Sequence, residues 1–248
     1  MDKNIDIVIT MGGLGSRFKK AGYTVPKYMI DAKGKSLFEW SMISLEGFRE
    51  AADKYIFIAL RDENCDVEAF IRDKCRLLNI SDYHIILLDE LTDGQATTAM
   101  LAGRYWYRDH ALLIYNIDTY VEPGEMNSAE LQGDGFIPCF KAAGDHWSFV
   151  RLNDEGMVVE IKEKKRISDH CTLGAYYFKS CGLYEDLYNE YYGEGRASEL
   201  VNGEKYVAPL YDYLLKRGGK IYISDVAADK VHVLGTPEEL QVFLDFPG

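Results

Sequence analysis

Three glycines and an arginine open the chemistry of this chain. Residues 12–17 read Gly-Gly-Leu-Gly-Ser-Arg and follow the apolar run Ile5-Asp6-Ile7-Val8-Ile9-Thr10-Met11. Glycines here let the backbone come close to a ligand and point N–H groups at an anion. Two familiar phosphate loops fail on spacing. A P-loop needs G-x-x-x-x-G-K-[ST], which neither Gly12 nor Gly13 begins, and the dinucleotide fingerprint needs a third glycine where Phe18 stands. The loop is therefore of another kind, and it ends in a cation, Arg17. Ten residues further stands a second cation, Lys27, and Pro26 stiffens the chain just before it. Asp118 follows the apolar run Ala111–Tyr115 and by itself could simply cap the turn that follows a strand. The run Lys162-Glu163-Lys164-Lys165-Arg166 by itself could be a solvated loop. His84, His110, His146, His170 and His232 show no ligand spacing and read as structural, and most of the 18 tyrosines read as core and rim.

These groups work against the field of the whole chain. The 248 residues include 28 basic and 40 acidic ones, a net charge of −12. Such a chain is a poor wrapper of nucleic acid, where lysine and arginine replace counterions, so no nucleic-acid partner is expected. An anionic small molecule needs a local concentration of positive groups instead. The five cysteines, Cys65, Cys75, Cys139, Cys171 and Cys181, form no C-x-x-C pair, which argues for reduced thiols rather than a disulfide framework or zinc ribbon. No stretch approaches the ~20 apolar residues of a membrane span, and the N-terminal apolar run is too short for a signal peptide core. A soluble, cytoplasmic protein with no membrane partner is the expectation.

Position comes from alternating elements. Strands are predicted at 5–11, 55–60, 84–88 and 111–115, with helices after Ser36, over 65–78 and over 95–105. Ser36 and Glu39 have the spacing of a capping box. This alternation implies a mainly parallel sheet covered on both faces, whose ligands lie beyond the carboxyl ends of the strands. The glycine turn and Asp118 then share one rim. Strand-like runs at 136–140, 147–152, 157–162 and 173–178 suggest an antiparallel extension. Helices follow near 182–192 and 207–217, a strand at 221–224, and a last helix capped by Thr236 with Pro237 at its first position.

Gly12-Gly13-Leu14-Gly15-Ser16-Arg17 with Pro26-Lys27 resembles the G-x-G-[ST]-R … P-K signature of the nucleotidyltransferase family, the sugar-1-phosphate pyrophosphorylases. Asp93-Gly94-Gln95-Ala96-Thr97-Thr98-Ala99 is similar to its nucleoside-contacting segment, and Asn116-Ile117-Asp118 to its metal-binding aspartate after a strand. Residues 159–164 resemble V-x-E-x-x-E-K, residues 173–178 G-x-Y-x-F, and Leu234-Gly235-Thr236-Pro237-Glu238-Glu239-Leu240 the closing G-T-P-E-x-L. The matches run in order along nearly the whole chain.

The resemblance implies one Rossmann-like α/β domain over 1–248, with a mixed sheet of the nucleotide-diphospho-sugar transferase, or glycosyltransferase-A-like, type. Residues 1–120 would bind the nucleotide and 121–248 the acceptor. The implied reaction transfers NMP from an NTP to a phosphorylated small molecule, a sugar-1-phosphate first, with Mg²⁺ and release of pyrophosphate. Gly12, Gly13 and Gly15 would contact the nucleotide through backbone. Arg17 would clamp the leaving phosphates, and Lys27 would neutralise the α-phosphate. Gln95 and Thr97 would line the base pocket. Lys162, or else Lys164, would meet the acceptor phosphate, and Gly174 would leave the acceptor room. Asp118 would hold the metal. Val233 stands where many members carry a second metal aspartate, so Asp225 is expected to supply that carboxylate, with Asp229, or phosphates and water, as the other options. Precursor synthesis for capsule or surface polysaccharide is the implied setting, and a homo-oligomer is left open. No hexapeptide repeat occurs, so no β-helix domain is expected in these residues. Three alternatives remain: a cytidylyltransferase for a non-sugar phosphate or phosphonate, a glycosyltransferase that reads Asn116–Asp118 as its metal site, and a non-catalytic nucleotide sensor.

Overall fold

A computed structural model describes residues 4–193 and 200–247. The parallel half of the sheet comprises β1 (Ile5–Met11), β4 (Ala52–Leu60), β5 (Tyr83–Leu88) and β6 (Ala111–Asn116), side by side in the order β5-β4-β1-β6. Two short strands, β2 (Asp31–Ala32) and β3 (Lys35–Ser36), form a separate hairpin between β1 and β4. Alternation along β1 feeds two cores. Ile5, Ile7, Ile9 and Met11 pack into one face, and Val8 into the other. A fully buried side chain of this size is worth about 1.5–3 kcal/mol relative to exposure. The first face is covered by α2 (Leu37–Ile43) and α3 (Val67–Leu77), the second by α4 (Gln95–Met100), α5 (Cys181–Tyr192) and α6 (Ala208–Lys216).

Beyond β6 the sheet turns antiparallel. β12 (Ala175–Phe178) lies between β6 and β8 (Gly135–Lys141), antiparallel to both. β11 (His170–Thr172) continues the same path along β8 and passes the sheet to β9 (Ser148–Leu152) and β10 (Val158–Glu163). The strand expected over 173–178 begins only at Ala175, because Gly174 sits at φ +91° and bends the chain between β11 and β12. β13 (Ile221–Asp225) adds to the other side of β8 in parallel. The helix expected over 95–105 is α-helical only to Met100 and tightens to a 3₁₀ turn over Leu101–Arg104. A small outer sheet, β7 (Thr119–Val121) with β14 (Val231–Val233), had no signal in the sequence.

A third apolar cluster closes the rim. Phe18 from α1 (Ser16–Lys20), Ile30, Leu37, Tyr120, Leu234, and Leu240 and Phe243 from α7 (Pro237–Asp245) pack together. Among the described residues, no helix is long and apolar enough to cross a membrane.

The capping box of α2 is closed. Ser36 N–H donates to Glu39 Oε2 at 2.8 Å, Glu39 N–H donates to Ser36 Oγ at 3.3 Å, and Lys74 Nζ donates to Glu39 Oε2 at 2.6 Å. Burial pushes the Glu39 carboxyl up, but Lys74 and Ser36 outweigh it and hold the group below its ordinary value. A depressed carboxyl stabilises the fold above its unfolded value of about 4.3 and loses that contribution as pH falls through its folded value. Glu39→Gln is expected to cost about 1–3 kcal/mol in urea unfolding at pH 7, with the gap to wild type narrowing below about pH 4. A gap that stays constant on acidification would contradict this account.

Candidate active site

The site lies at the carboxyl ends of β1 and β6, where crossovers leave the sheet in opposite directions. Gly12 and Gly13 follow β1 directly. Gly15 takes φ +60°, ψ 30°, a left-handed conformation that glycine adopts without strain, and starts α1. That turn packs on Lys27: a Cβ at Gly15 would stand 3.8 Å from Lys27 Cβ. Pro26 sets the extended approach to the 3₁₀ turn Lys27–Met29. Lys27 Nζ meets Asp118 Oδ2 at 2.6 Å, with the two side chains only 14% and 29% exposed. Asp118 is itself fixed through its backbone, since Leu234 N–H donates to its carbonyl at 2.8 Å.

Two adjoining hollows share Gln95, Asn116, Asp118 and Tyr206. One is walled by Thr10, Gly12, Gly13, Lys27 and Thr98. The other holds Arg17, Trp147, Glu163, Lys164, Gly174 and Glu239. Gln95 Nε2 crosses between them, donating to Thr10 Oγ1 at 3.2 Å and to Asn116 Oδ1. In the second hollow, Ser148 Oγ donates to Glu163. Burial pushes the Glu163 carboxyl above its ordinary value, against the pull of that hydroxyl. The Tyr176 hydroxyl beside it is pushed up to about 12, mainly by burial and then by the Glu163 charge. Lys164 Nζ lies 4.3 Å over the Tyr206 ring.

Of the residues expected in the site, the structure gathers Gly12, Gly13, Arg17, Lys27, Gln95, Asp118 and Gly174 around these hollows, with Gly15 in the turn behind them. Three fall elsewhere. Thr97 is turned away on α4, with its hydroxyl against Asp93 and, at 2.8 Å, Tyr188; the cleft receives Thr98 instead. Lys162 faces α6 from β10 and pairs with Asp212 at 3.5 Å, so Lys164 is the lysine at the cleft. Asp225 ends β13 at the far edge, bound to His170 Nδ1 at 2.8 Å. Three strand spacings of about 4.8 Å separate β13 from β6, which removes Asp225 from the surroundings of Asp118. The carboxylate found there is Glu239 of α7. A Cβ built on Gly235 would stand 3.3 Å from Glu239 Oε2 and 3.5 Å from Asp118 Oδ2. Glu239 was visible in the sequence only as an acid in the first turn of a helix. Trp147 and Tyr206 carried no signal that singled them out for the cleft, while Glu163 and Tyr176 lay within the segments 159–164 and 173–178 but drew no role of their own.

A separate group, Asp6, Asp53 and His110, brings ligand atoms within 4.8 Å of one another. It sits at the opposite, amino-terminal ends of β1, β4 and β6, and Lys54 already meets Asp53 at 2.9 Å.

This architecture recurs in known structures. A nucleoside-diphosphate-sugar pyrophosphorylase from Vibrio cholerae RC9 superposes with a TM-score of 0.87 and 34% identity, covering 97% of this chain and 100% of that one. The chain belongs to the nucleotidyltransferase family. Its fold also matches the inositol-1-phosphate CTP transferase of T. maritima (TM-score 0.74, 14% identity, 94% of this chain and 90% of that one). The CTP:phosphocholine cytidylyltransferase of Streptococcus pneumoniae matches as well (TM-score 0.74, 11% identity, 98% of each chain). No family model and no curated protein sequence matches this nucleotidyltransferase. It is an enzyme of nucleotidyl transfer, and the glycosyltransferase and sensor alternatives give way to that.

Gly174 tests how tightly the nucleotidyltransferase builds its rim. A Cβ there would stand 2.4 Å from Asn116 Nδ2, on a backbone already at φ +91°. Gly174→Ala is expected to cost about 1–3 kcal/mol in urea unfolding. A variant as stable as wild type would show that the bend does not need glycine.

Proposed function

We propose that this enzyme transfers NMP from an NTP to a phosphorylated small molecule, a sugar-1-phosphate first among candidates, and releases pyrophosphate. The observation that carries the reading is the Lys27–Asp118 pair, held across the mouth of the glycine turn with Arg17 in the adjoining hollow. The acceptor phosphate attacks the α-phosphorus in line with the departing pyrophosphate, so the protein's part is to align the two and to meet growing charge. The amides of Gly12, Gly13 and Gly15 receive the nucleotide. Lys27, once drawn from Asp118 to the α-phosphate, balances charge that increases in the transition state. Arg17, a planar fork suited to bidentate contact, holds the leaving phosphates. Gln95 orients the base, and Lys164, at the other end of the cleft, orients the acceptor phosphate. In this reading the residues up to about 120 serve the nucleotide and those beyond serve the acceptor.

Asp118 suits magnesium on two counts. Its carboxylate is a hard oxygen donor, and the missing Cβ of Gly235 leaves open space beside Oδ2. Bound there, Mg²⁺ would supply charge neutralisation for the triphosphate.

One observation favours a second kind of acceptor. The acceptor end sets the Glu163 carboxylate among Trp147, Tyr176 and Tyr206, a setting that suits a phosphorylated amino alcohol as well as a sugar ring.

Pyrophosphate release measured across four NTPs against sugar-1-phosphates and phosphorylated amino alcohols tests the reading. One NTP–acceptor pair should turn over in the presence of Mg²⁺, and no release with any pair would refute it. With that pair, Lys27→Ala is expected to lower kcat about 10²–10³-fold while nucleotide affinity changes far less. Equal losses in binding and rate would make Lys27 a binding residue only.

A further inference from the structure

Helices α2 and α7 begin with the same spacing, Ser36-x-x-Glu39 and Thr236-x-x-Glu239. In α2 both halves of the capping box form. In α7 only one does: Glu239 N–H donates to Thr236 Oγ1 at 3.1 Å, while the Glu239 carboxylate has no hydrogen bond or ion pair among the described residues. A glutamate at the third helical position ordinarily reaches back to the cap. This one is half-buried, lines the same hollow as Asp118, and keeps Oε2 beside the missing Cβ of Gly235, where Asp118 Oδ2 also lies.

Two half-buried carboxylates that face one small volume repel each other, and Lys27 reaches only Asp118. A hard divalent cation is the chemistry that relieves the pair, since magnesium binds through one or two carboxylates and completes its shell with phosphate and water. We propose that Glu239 supplies the second protein carboxylate to the divalent ion held by Asp118. The metal then ties α7 to the loop after β6, with Gly235 as the residue whose lack of a side chain keeps the space open. This assignment rests on the metal reading of Asp118 under the proposed function.

The test reads metal binding directly. Mn²⁺ is titrated into wild type, Glu239→Gln and Asp118→Asn, and free Mn²⁺ is followed by electron paramagnetic resonance, with circular dichroism confirming that each variant is folded. The Thr236 cap is untouched in Glu239→Gln, so its helix should persist. Glu239→Gln is expected to weaken Mn²⁺ binding at least tenfold, and Asp118→Asn by as much or more. Wild-type affinity in Glu239→Gln with loss in Asp118→Asn would overturn the role of Glu239 and leave that of Asp118 standing. Wild-type affinity in both variants, or no binding to wild type at millimolar Mn²⁺, would overturn the metal reading of Asp118 as well.

Discussion

A chain of net charge −12 that is to receive a triphosphate must keep cations in its cleft before the substrate arrives. A largely buried lysine loses much of its hydration and needs a partner in its place. Contact between Lys27 and Asp118 at 2.6 Å meets that constraint, because the carboxylate replaces the lost water and holds the ammonium at the cleft. The arrangement is also exchangeable. A phosphate oxygen can take the place of the carboxylate on Lys27, and a divalent ion can take the place of Lys27 on the carboxylate. Substrate and metal together therefore replace one ion pair by two, which leaves no charge stranded in the cleft.

The glycine turn serves this pair. Gly15 adopts its left-handed conformation where the turn packs on the Lys27 stem. A side chain at Gly15 would strain that turn through its left-handed backbone, although its Cβ would only touch the Lys27 stem. On the opposite wall, the bend at Gly174 lets Asn116 come close to the strand path, and Asn116 in turn anchors Gln95. The two glycines thus act at a distance from the chemistry, through the packing of the residues that face it.

Much of this was legible before any coordinates. The buried runs of β1 and β6, the glycine turn after one and Asp118 after the other follow from hydrophobic periodicity and from the rule that ligands lie beyond strand ends. Local patterns also carry the caps at Ser36 and Thr236. What failed depended on a single step of phase or on pairing at long range. Thr97 and Thr98 differ by one residue, about 100° around a helix, and only Thr98 reaches the cleft. Lys162 lies within β10 and pairs toward α6, whereas Lys164 lies just past the strand's end in a left-handed turn at φ +53°. Asp225 is expected near Asp118 only as one of the acids closest to Val233 along the chain, but the partner of β13 is β8, a pairing with no signature along the chain.

Glu239 shows why a motif that reads as structure can hold chemistry. The cap spacing of α7 explains an acid at that position without any ligand, and the helix dipole favours one. The third apolar cluster adds what spacing could not. Phe18 of α1 and Leu240 and Phe243 of α7 pack into the same small core, with Tyr120 and Leu234 between them. Arg17 precedes Phe18 and Glu239 precedes Leu240, so one packed unit carries both a cation and a carboxylate to the second hollow. Asp118 joins that unit through the Leu234 amide. Lys27 enters from the 3₁₀ turn after Pro26, and its neighbours Val25 and Ile30 pack on the same cluster. The groups assigned to the leaving phosphates, the metal and the α-phosphate are therefore carried by one small core, which suits a reaction in which the protein meets charge growing at the α-phosphorus with groups already in place.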